Sequence, residues 1–335
     1  MPSASPIFTD IDFDRDGKQV STLNLPHSPH EDAWGVMPIP IAVIKNGSGP
    51  TVLMEGGNHG DEYEGPIILG RMIRELDAAE IQGRLILLPA VNTPAVVAGR
   101  RTSPVDGLNF NRTFPGNPRG SMTGQIAHYV HDVLFPMADA FLDLHSGGSS
   151  LDILPSAIVE PTPDAGLADK IMKAVLAFDA PYTVILDNLG EPRTATASAV
   201  RAGLITVGTE LGRGGAVSID ALRVGERGVR NVLAHLGVME AAPGATRSES
   251  RVVQVPGAAG YVYAPAAGVF EPFDEKGATV EEGAQAGVVH FLDDPARPPV
   301  PAHYRSAGLL ISRRQPGHVE RGNCVAVIGV DCGDG

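Results

Sequence analysis

The chain has 335 residues, 43% of them hydrophobic and 19% charged, enough for one large core with a smaller unit beside it. Its 39 acidic against 26 basic residues give a net charge of −13, which argues against nucleic acid and anionic membrane as partners. No 18-residue apolar run marks a transmembrane helix, and the first residues show no basic-then-apolar leader. The two cysteines, Cys324 and Cys332, indicate no disulfide framework, so a cytoplasmic protein is expected.

Residues 1–45 read as short strands with turns, Pro38–Ile44 the clearest. Thr51–Glu55 is an apolar, buried strand. Gly65–Leu76 is a helix with Ile67, Ile68, Met72, Ile73 and Leu76 on or near one face. Arg84–Pro89 is a further strand, running on to Val91-Asn92-Thr93-Pro94. Gln125–Phe135 is helical, Ala140–Leu144 is a strand ending at His145, and Leu167–Leu176 is helical. Thr183–Leu186 and Leu204–Thr209 are short strands, and Ser218–Leu236 is a long helix weakened by Gly225 and Gly228. Strands alternating with helices predict an α/β domain with a largely parallel sheet, whose sites lie beyond the carboxyl ends of its strands.

Residues 240–250 read as a linker, after which helical periodicity stops and Gly and Pro punctuate short β-like runs. This sets a boundary between a catalytic domain, 1–245, and a β-rich C-terminal domain, 250–335. The segment from Ala264 to Gly283 resembles the strand-turn-strand pattern of biotinyl and lipoyl domains. It has no lysine at a hairpin tip for a carrier arm.

Chemistry concentrates at strand exits. Glu55-Gly-Gly-Asn-His59-Gly-Asp-Glu62 follows the first buried strand, and Leu142-Asp143-Leu144-His145-Ser-Gly closes a later one, 83 residues after Glu62. Imidazole, carboxylate and imidazole form a three-ligand set for a catalytic zinc, which leaves a fourth position for water. Such an ion lowers the pKa of its water and polarises a carbonyl, so a hydrolase is expected. His-x-x-Glu alone is far more often a solvated loop pair. The glycine-rich strand exit and the distant Asp-Leu-His favour metal, with glycines that let the backbone bend.

Asp143 and His145 share a strand face, so Asp143 either supports the imidazole from behind or merely caps backbone. Arg100, Arg101 and Arg112 lie in a loop with Asn111, where a guanidinium can hold a carboxylate or stabilise an oxyanion. Glu210, in Val207-Gly-Thr-Glu210-Leu-Gly-Arg-Gly-Gly, can shuttle a proton, though local sequence alone suits an exposed loop carboxylate. His128 and His131 form a rival pair on a helix, where a surface position suits them better.

Taken together, His59-Gly-Asp-Glu62, Arg101-x-x-Pro-x-Asp-Gly, Asn111-Arg112-x-Phe-Pro-Gly, Asp143-Leu-His145-Ser-Gly and Thr209-Glu210-Leu-Gly occur in that order. The set resembles the succinylglutamate desuccinylase/aspartoacylase family of the zinc-carboxypeptidase-like superfamily, across about residues 50 to 215 and with a fitting C-terminal β-domain. The resemblance implies a mostly parallel mixed sheet flanked by helices, with a smaller all-β domain. It implies one zinc per chain on His59, Glu62 and His145, and Glu210 as general base and acid. It further implies Asn111 and Arg112 on the substrate carboxylate, and Arg101, or its neighbour Arg100, on the scissile carbonyl. The family hydrolyses small N-acyl amino acids.

The wording of His59–Gly65 and of Asn109–Gly116 most resembles the branch that deacetylates N-α-acetyl-L-2,4-diaminobutyrate in ectoine breakdown. One departure stands out. Relatives with acidic substrates carry an arginine roughly ten residues before the general base, where this chain has Thr196-Ala-Ser-Ala-Val200 between Arg193 and Arg201. Arg193 is a candidate substrate-loop residue, and no acid for a cationic side chain can be named. Another N-acyl amino acid (of N-acetyl-aspartate or N-succinylglutamate type), a peptide substrate, or a binding protein without catalysis are the competing readings. A homo-oligomer stays open.

Overall fold

The computed structural model describes residues 5–213, 215–241 and 249–333. The linker expected at 240–250 and the start of the chain therefore fall partly outside the described residues, as does Gly214. In chain order the first elements are strands β1 (Gly17–Pro26), β2 (Val36–Asn46) and β3 (Thr51–Gly56), helix α1 (Glu64–Glu75), strand β4 (Gly83–Leu88) and helices α2 (Thr93–Ala98) and α3 (Met122–Tyr129). Then come β5 (Ala140–His145), β6 (Leu151–Ile153), β7 (Ser156–Val159), α4 (Ala165–Phe178), β8 (Tyr182–Ile185), α5 (Ala195–Arg201), β9 (Ile205–Glu210) and α6 (Ile219–His235). The remainder is β: β10 (Arg251–Gln254), β11 (Tyr261–Tyr263), β12 (Gly268–Pro272), β13 (Thr279–Val280), β14 (Gln285–His290), β15 (Val300–His303), β16 (Gly308–Arg314), β17 (His318–Val319) and β18 (Cys324–Asp331).

The main sheet runs β1-β2-β4-β3-β5-β9-β7-β8 before continuing into the C-terminal strands. Its centre is parallel: β3 lies between β4 and β5, and β5 pairs with β9. The parallel strands are buried on both faces, and alternate residues enter opposite cores. Val52 and Met54 meet Ile68 and Met72 of α1 and Val229 of α6, while Leu53 joins Ile126, Phe135 and Phe141 on the other side. Gly225 and Gly228 do not interrupt α6. Each is a point of close approach, since a Cβ on Gly228 would lie 2.2 Å from the Phe178 ring and one on Gly225 2.6 Å from Ile68.

Two local readings change. Residues after Leu88 do not extend the strand: Thr93–Ala98 is helical, with Pro94 in the first turn, where its missing N–H costs no bond, and Gly99 closing it in the left-handed conformation. Short strands β6 and β7, together with α5, occupy stretches the sequence left unassigned.

The C-terminal residues both extend the main sheet and build a second one. β10 adds parallel to β8, β18 pairs antiparallel with β10, and β16 follows. Strands β15-β14-β12-β17 form a separate antiparallel sheet over a core that includes Phe270, Val289, Leu310 and Val325. Lys276 is no carrier lysine at a free tip. Its ammonium pairs with buried Asp152 and donates to the Ile153 carbonyl at 3.1 Å. No helix among the described residues is long and apolar enough to cross a membrane.

Candidate active site

Because β3, β5 and β9 are parallel, their carboxyl ends share one sheet edge, and three separate segments deliver their polar residues there. His59 and Glu62 lie in the loop after β3. His145 ends β5, and in register its partner is Glu210, the last residue of β9. The loop between β3 and α1 is pressed against α2. Gly57 has φ +70°, and a Cβ on Gly60 would overlap the Ala95 carbonyl at 1.9 Å, so close approach demands these glycines as much as bending does.

Glu62 bridges the two imidazoles: its Oε1 lies 2.7 Å from Nδ1 of His59 and its Oε2 2.7 Å from Nδ1 of His145. The far ring nitrogens have their own acceptors. Nε2 of His59 donates to Oδ1 of Asn109 (3.1 Å) and Nε2 of His145 to Oδ2 of Asp143 (3.0 Å). With those N–H groups committed, both Nδ1 atoms turn lone pairs toward Glu62. Three electron-pair donors on His59, Glu62 and His145, all within 4.8 Å of one another and buried, need a cation or protons between them. Nitrogen and carboxylate donors in this arrangement fit a divalent metal.

Titration follows this geometry. Burial acts to raise Glu62, but His59 and His145 outweigh it and hold the carboxyl far below its usual range. Burial lowers His59, and Arg101 adds to that. Burial would lower His145 too, yet Asp143 and Glu62 on either side drive it well above an ordinary imidazole. Burial, then the nearby Glu62 charge, pushes Glu210 up to about 8. One oxygen of Glu210, Oε2, is buried and has no hydrogen-bond partner among the described residues.

The cavity beside these residues measures about 200 Å³ and is lined by Arg101, Asn111 and Arg112 as well. Arg101 reaches in, its guanidinium 3.5 Å from Glu62. Arg100 is not among the lining residues, which separates the two neighbouring arginines. The Asn111 oxygen accepts the N–H of Ala195 at the start of α5, which leaves its amino group 3.3 Å from Nε2 of His145. Arg112 donates to the Asn111 carbonyl, and burial lowers its pKa. Arg193 does not line the cavity. Exposed, it forks onto Glu191 at 2.7 and 2.8 Å, and Glu191 is also 3.9 Å from Arg112. His128 and His131 lie elsewhere, beside Asp132.

Sequence reasoning passed over seven contributors. Asn109 orients His59. Asp61 accepts the N–H and hydroxyl of Ser149 (2.8 and 2.6 Å) and so pins the loop after His145. Glu55 stands opposite Asp143 in register, and burial together with Asp143 pushes it well above the carboxylate range. Tyr261, Ile311, Ser312 and Val327 close the cavity from the C-terminal part. Glu55 and Asp61 lie in the same strand-exit segment as His59 and Glu62, and Asn109 stands two residues before Asn111. That adjacency is the signal in the sequence that could have found them.

The profile of the succinylglutamate desuccinylase/aspartoacylase catalytic domain matches residues 48–236. The chain is 42% identical to the N-alpha-acetyl-L-2,4-diaminobutyric acid deacetylase of Halomonas elongata over 324 residues, 97% of this chain and 95% of that one. The product-bound structure of the ectoine utilization protein EutE (DoeB) from Ruegeria pomeroyi superposes with a TM-score of 0.94 at 42% identity, covering 98% of this chain and all of the other (100%). A succinylglutamate desuccinylase/aspartoacylase structure from Rhodobacter sphaeroides gives 0.92 at 44% identity, over 98% and 100% of the two chains.

Proposed function

The chain belongs to the succinylglutamate desuccinylase/aspartoacylase family, and from that premise we propose that it removes the acetyl group of N-α-acetyl-L-2,4-diaminobutyrate, giving acetate and L-2,4-diaminobutyrate. It is a deacylase, and the substrate rests on one observation: likeness along nearly the whole length of both chains to a relative that bears this activity in its name. The metal we assign is one zinc per chain, on Nδ1 of His59, the carboxylate of Glu62 and Nδ1 of His145, a donor set that suits it. When bound, zinc supplies a water of near-neutral pKa and polarises the amide carbonyl.

The chain's own residues supply the rest. Glu210 takes a proton from the attacking water and gives it to the leaving nitrogen, so the C–N bond breaks as an amine rather than an amide anion. Arg101, at the mouth of the ligand set, stabilises the oxyanion on the former carbonyl. Arg112 and the free amino group of Asn111 hold the α-carboxylate. Asp143 and Asn109 fix the two imidazoles. Arg193, turned onto Glu191, would serve by holding that carboxylate beside Arg112.

We read 1–245 as the catalytic domain and 250–335 as the C-terminal domain. The separate core around Phe270 supports this, as does the way Tyr261 and Ser312 roof a cavity of small-molecule size. That roof disfavours peptides. An acidic substrate side chain fits poorly, because Thr196 lines the cavity while Arg193 and Arg201 do not. Free cysteines suit a cytoplasmic location.

The test is acetate release by zinc-loaded protein from the N-α-acetyl substrate, its N-γ-acetyl isomer and N-acetyl-aspartate. Preference for the α-isomer supports the reading. Turnover of N-acetyl-aspartate alone keeps the chemistry and discards the substrate.

A further inference from the structure

A diaminobutyrate substrate carries an ammonium on its fourth carbon, and the groups described above leave it without a partner. The cavity wall at β7 and at the end of β8 is apolar, made by Ile158, Val184 and Leu186, with Thr196 as the polar residue beside them. Thr196 donates at 3.1 Å to Oε2 of Glu160. Glu160 lies two residues beyond Ile158 and behind Thr196; Ile158 and Thr196 line the cavity and Glu160 does not, while Ala157 and Val159 belong to the core behind the sheet. Glu160 is only 9% exposed, and among the described residues no cation pairs with it. Its other flank borders an open surface depression shared with Asp187 and Arg201. Burial pushes it up to about 7, with Asp187 adding to the rise, and the Thr196 hydrogen bond and the more distant Arg201 charge offset this only in part.

The spacing suits the substrate. Glu210 and Gly208 are alternate residues on β9, about 7 Å apart along one face. Gly208 pairs with Ile158, and a Cβ on it would lie 3.2 Å from Ile158 and 3.7 Å from the Thr196 methyl. Gly208 and Thr196 both line the cavity that holds Glu210, and the missing side chain keeps this stretch of β9 from filling it. Five bonds of about 1.5 Å separate the amide carbonyl carbon from the C4 amine, a span of about 6 Å. A carbonyl beside Glu210 thus puts the amine over Gly208. The carboxylate on the substrate's α-carbon, which also bears the acylated nitrogen, falls to Asn111, which is hydrogen-bonded to Ala195, the residue before Thr196.

We propose that Thr196 and Glu160 form the subsite that reads the substrate's side-chain ammonium, the hydroxyl accepting its N–H and the carboxylate supplying the opposite charge behind it. This assignment rests on the substrate reading above.

The experiment compares kcat and KM for N-α-acetyl-L-2,4-diaminobutyrate and its neutral isostere N-α-acetyl-L-norvaline in the wild-type enzyme, Glu160→Gln and Thr196→Val. Loss of one charge-assisted contact should reduce the wild-type preference for the cationic substrate about tenfold or more in kcat/KM, mainly through KM. Calorimetric binding of L-2,4-diaminobutyrate against L-norvaline makes the same comparison if a variant loses turnover, and melting confirms that it folds. A preference that survives both substitutions, or affinities for both ligands that fall equally, overturns the subsite. A wild type without any preference for the cationic substrate fails the substrate reading instead, before a variant is made.

Discussion

Asp143 and His145 stand two residues apart on one strand and meet side chain to side chain, Oδ2 to Nε2 at 3.0 Å. This contact fixes the imidazole so that Nδ1, not Nε2, faces Glu62. An asparagine at 143 can present its amide nitrogen instead and so lose that acceptor. Asp143→Asn is expected to weaken metal affinity by about 10- to 100-fold without unfolding the chain. A competition titration against a zinc-binding dye measures it, and an unchanged affinity would show that Asp143 has no part in orienting the ligand.

Metal binding should depend on pH in a definite direction. Without metal, Glu210 titrates at about 8 and His145 well above the usual imidazole value, so both hold protons at pH 7. A dication displaces the proton on Nδ1 of His145 and draws down the one on Glu210. Protons leave on binding, so affinity rises with pH through about 8. Calorimetry in two buffers of different ionisation heat should show net proton release at pH 7. An affinity that stays flat from pH 6 to 9 would contradict this.

Glu210→Gln keeps the shape and removes the base. Its kcat should fall by about 10²- to 10⁴-fold with KM little changed. Near-normal kcat with metal bound would remove Glu210 from the proton path.

Arg112→Ala should act in the opposite sense, raising KM more than it lowers kcat, because the carboxylate it holds takes no part in bond breaking. The check is a substrate series at saturating metal. Equal KM values in the two proteins would end the clamp assignment.

Lys276 reaches from the C-terminal part to Asp152, which is 4% exposed at its side chain and has Arg313 3.8 Å away as its other cation. Lys276→Met leaves a buried carboxylate with one distant partner, at a cost of about 2 kcal/mol. Thermal melting should register a drop of several degrees, and in an Asp152→Asn background the same change should do much less.

The ordered motifs singled out His59, Glu62, His145, Arg101, Asn111 and Arg112, which the fold brings to one cavity, since each sits at a strand exit or in a turn-rich loop whose side chains have few other uses. Glu210 was harder. Local sequence suits an exposed loop, and only the pairing of β9 with β5 places it beside His145 in a buried site. Asn109 and Asp61 were hidden because an asparagine or aspartate in a loop serves its own backbone equally well. Glu55 was hidden because its partner lies on another strand. Thr93–Ala98 is too short for a helical period to show. The direction of Arg193 is decided by Glu191, a contact that spacing does not encode. Contributions from Tyr261 and Ser312 depend on how the C-terminal residues fold back, beyond the reach of any local pattern.

The parallel seam between β8 and β10 has a consequence for shortening this chain. From Tyr182 to Ile185, each residue of β8 is matched in register by one of Arg251–Gln254. A protein ending near residue 245 would not be a minimal enzyme. It would expose a short apolar strand whose unpaired N–H and C=O groups can take up a strand from any neighbouring molecule. The C-terminal residues therefore also guard against aggregation, and whoever trims this chain for crystallisation or fusion should expect insoluble material before lost catalysis.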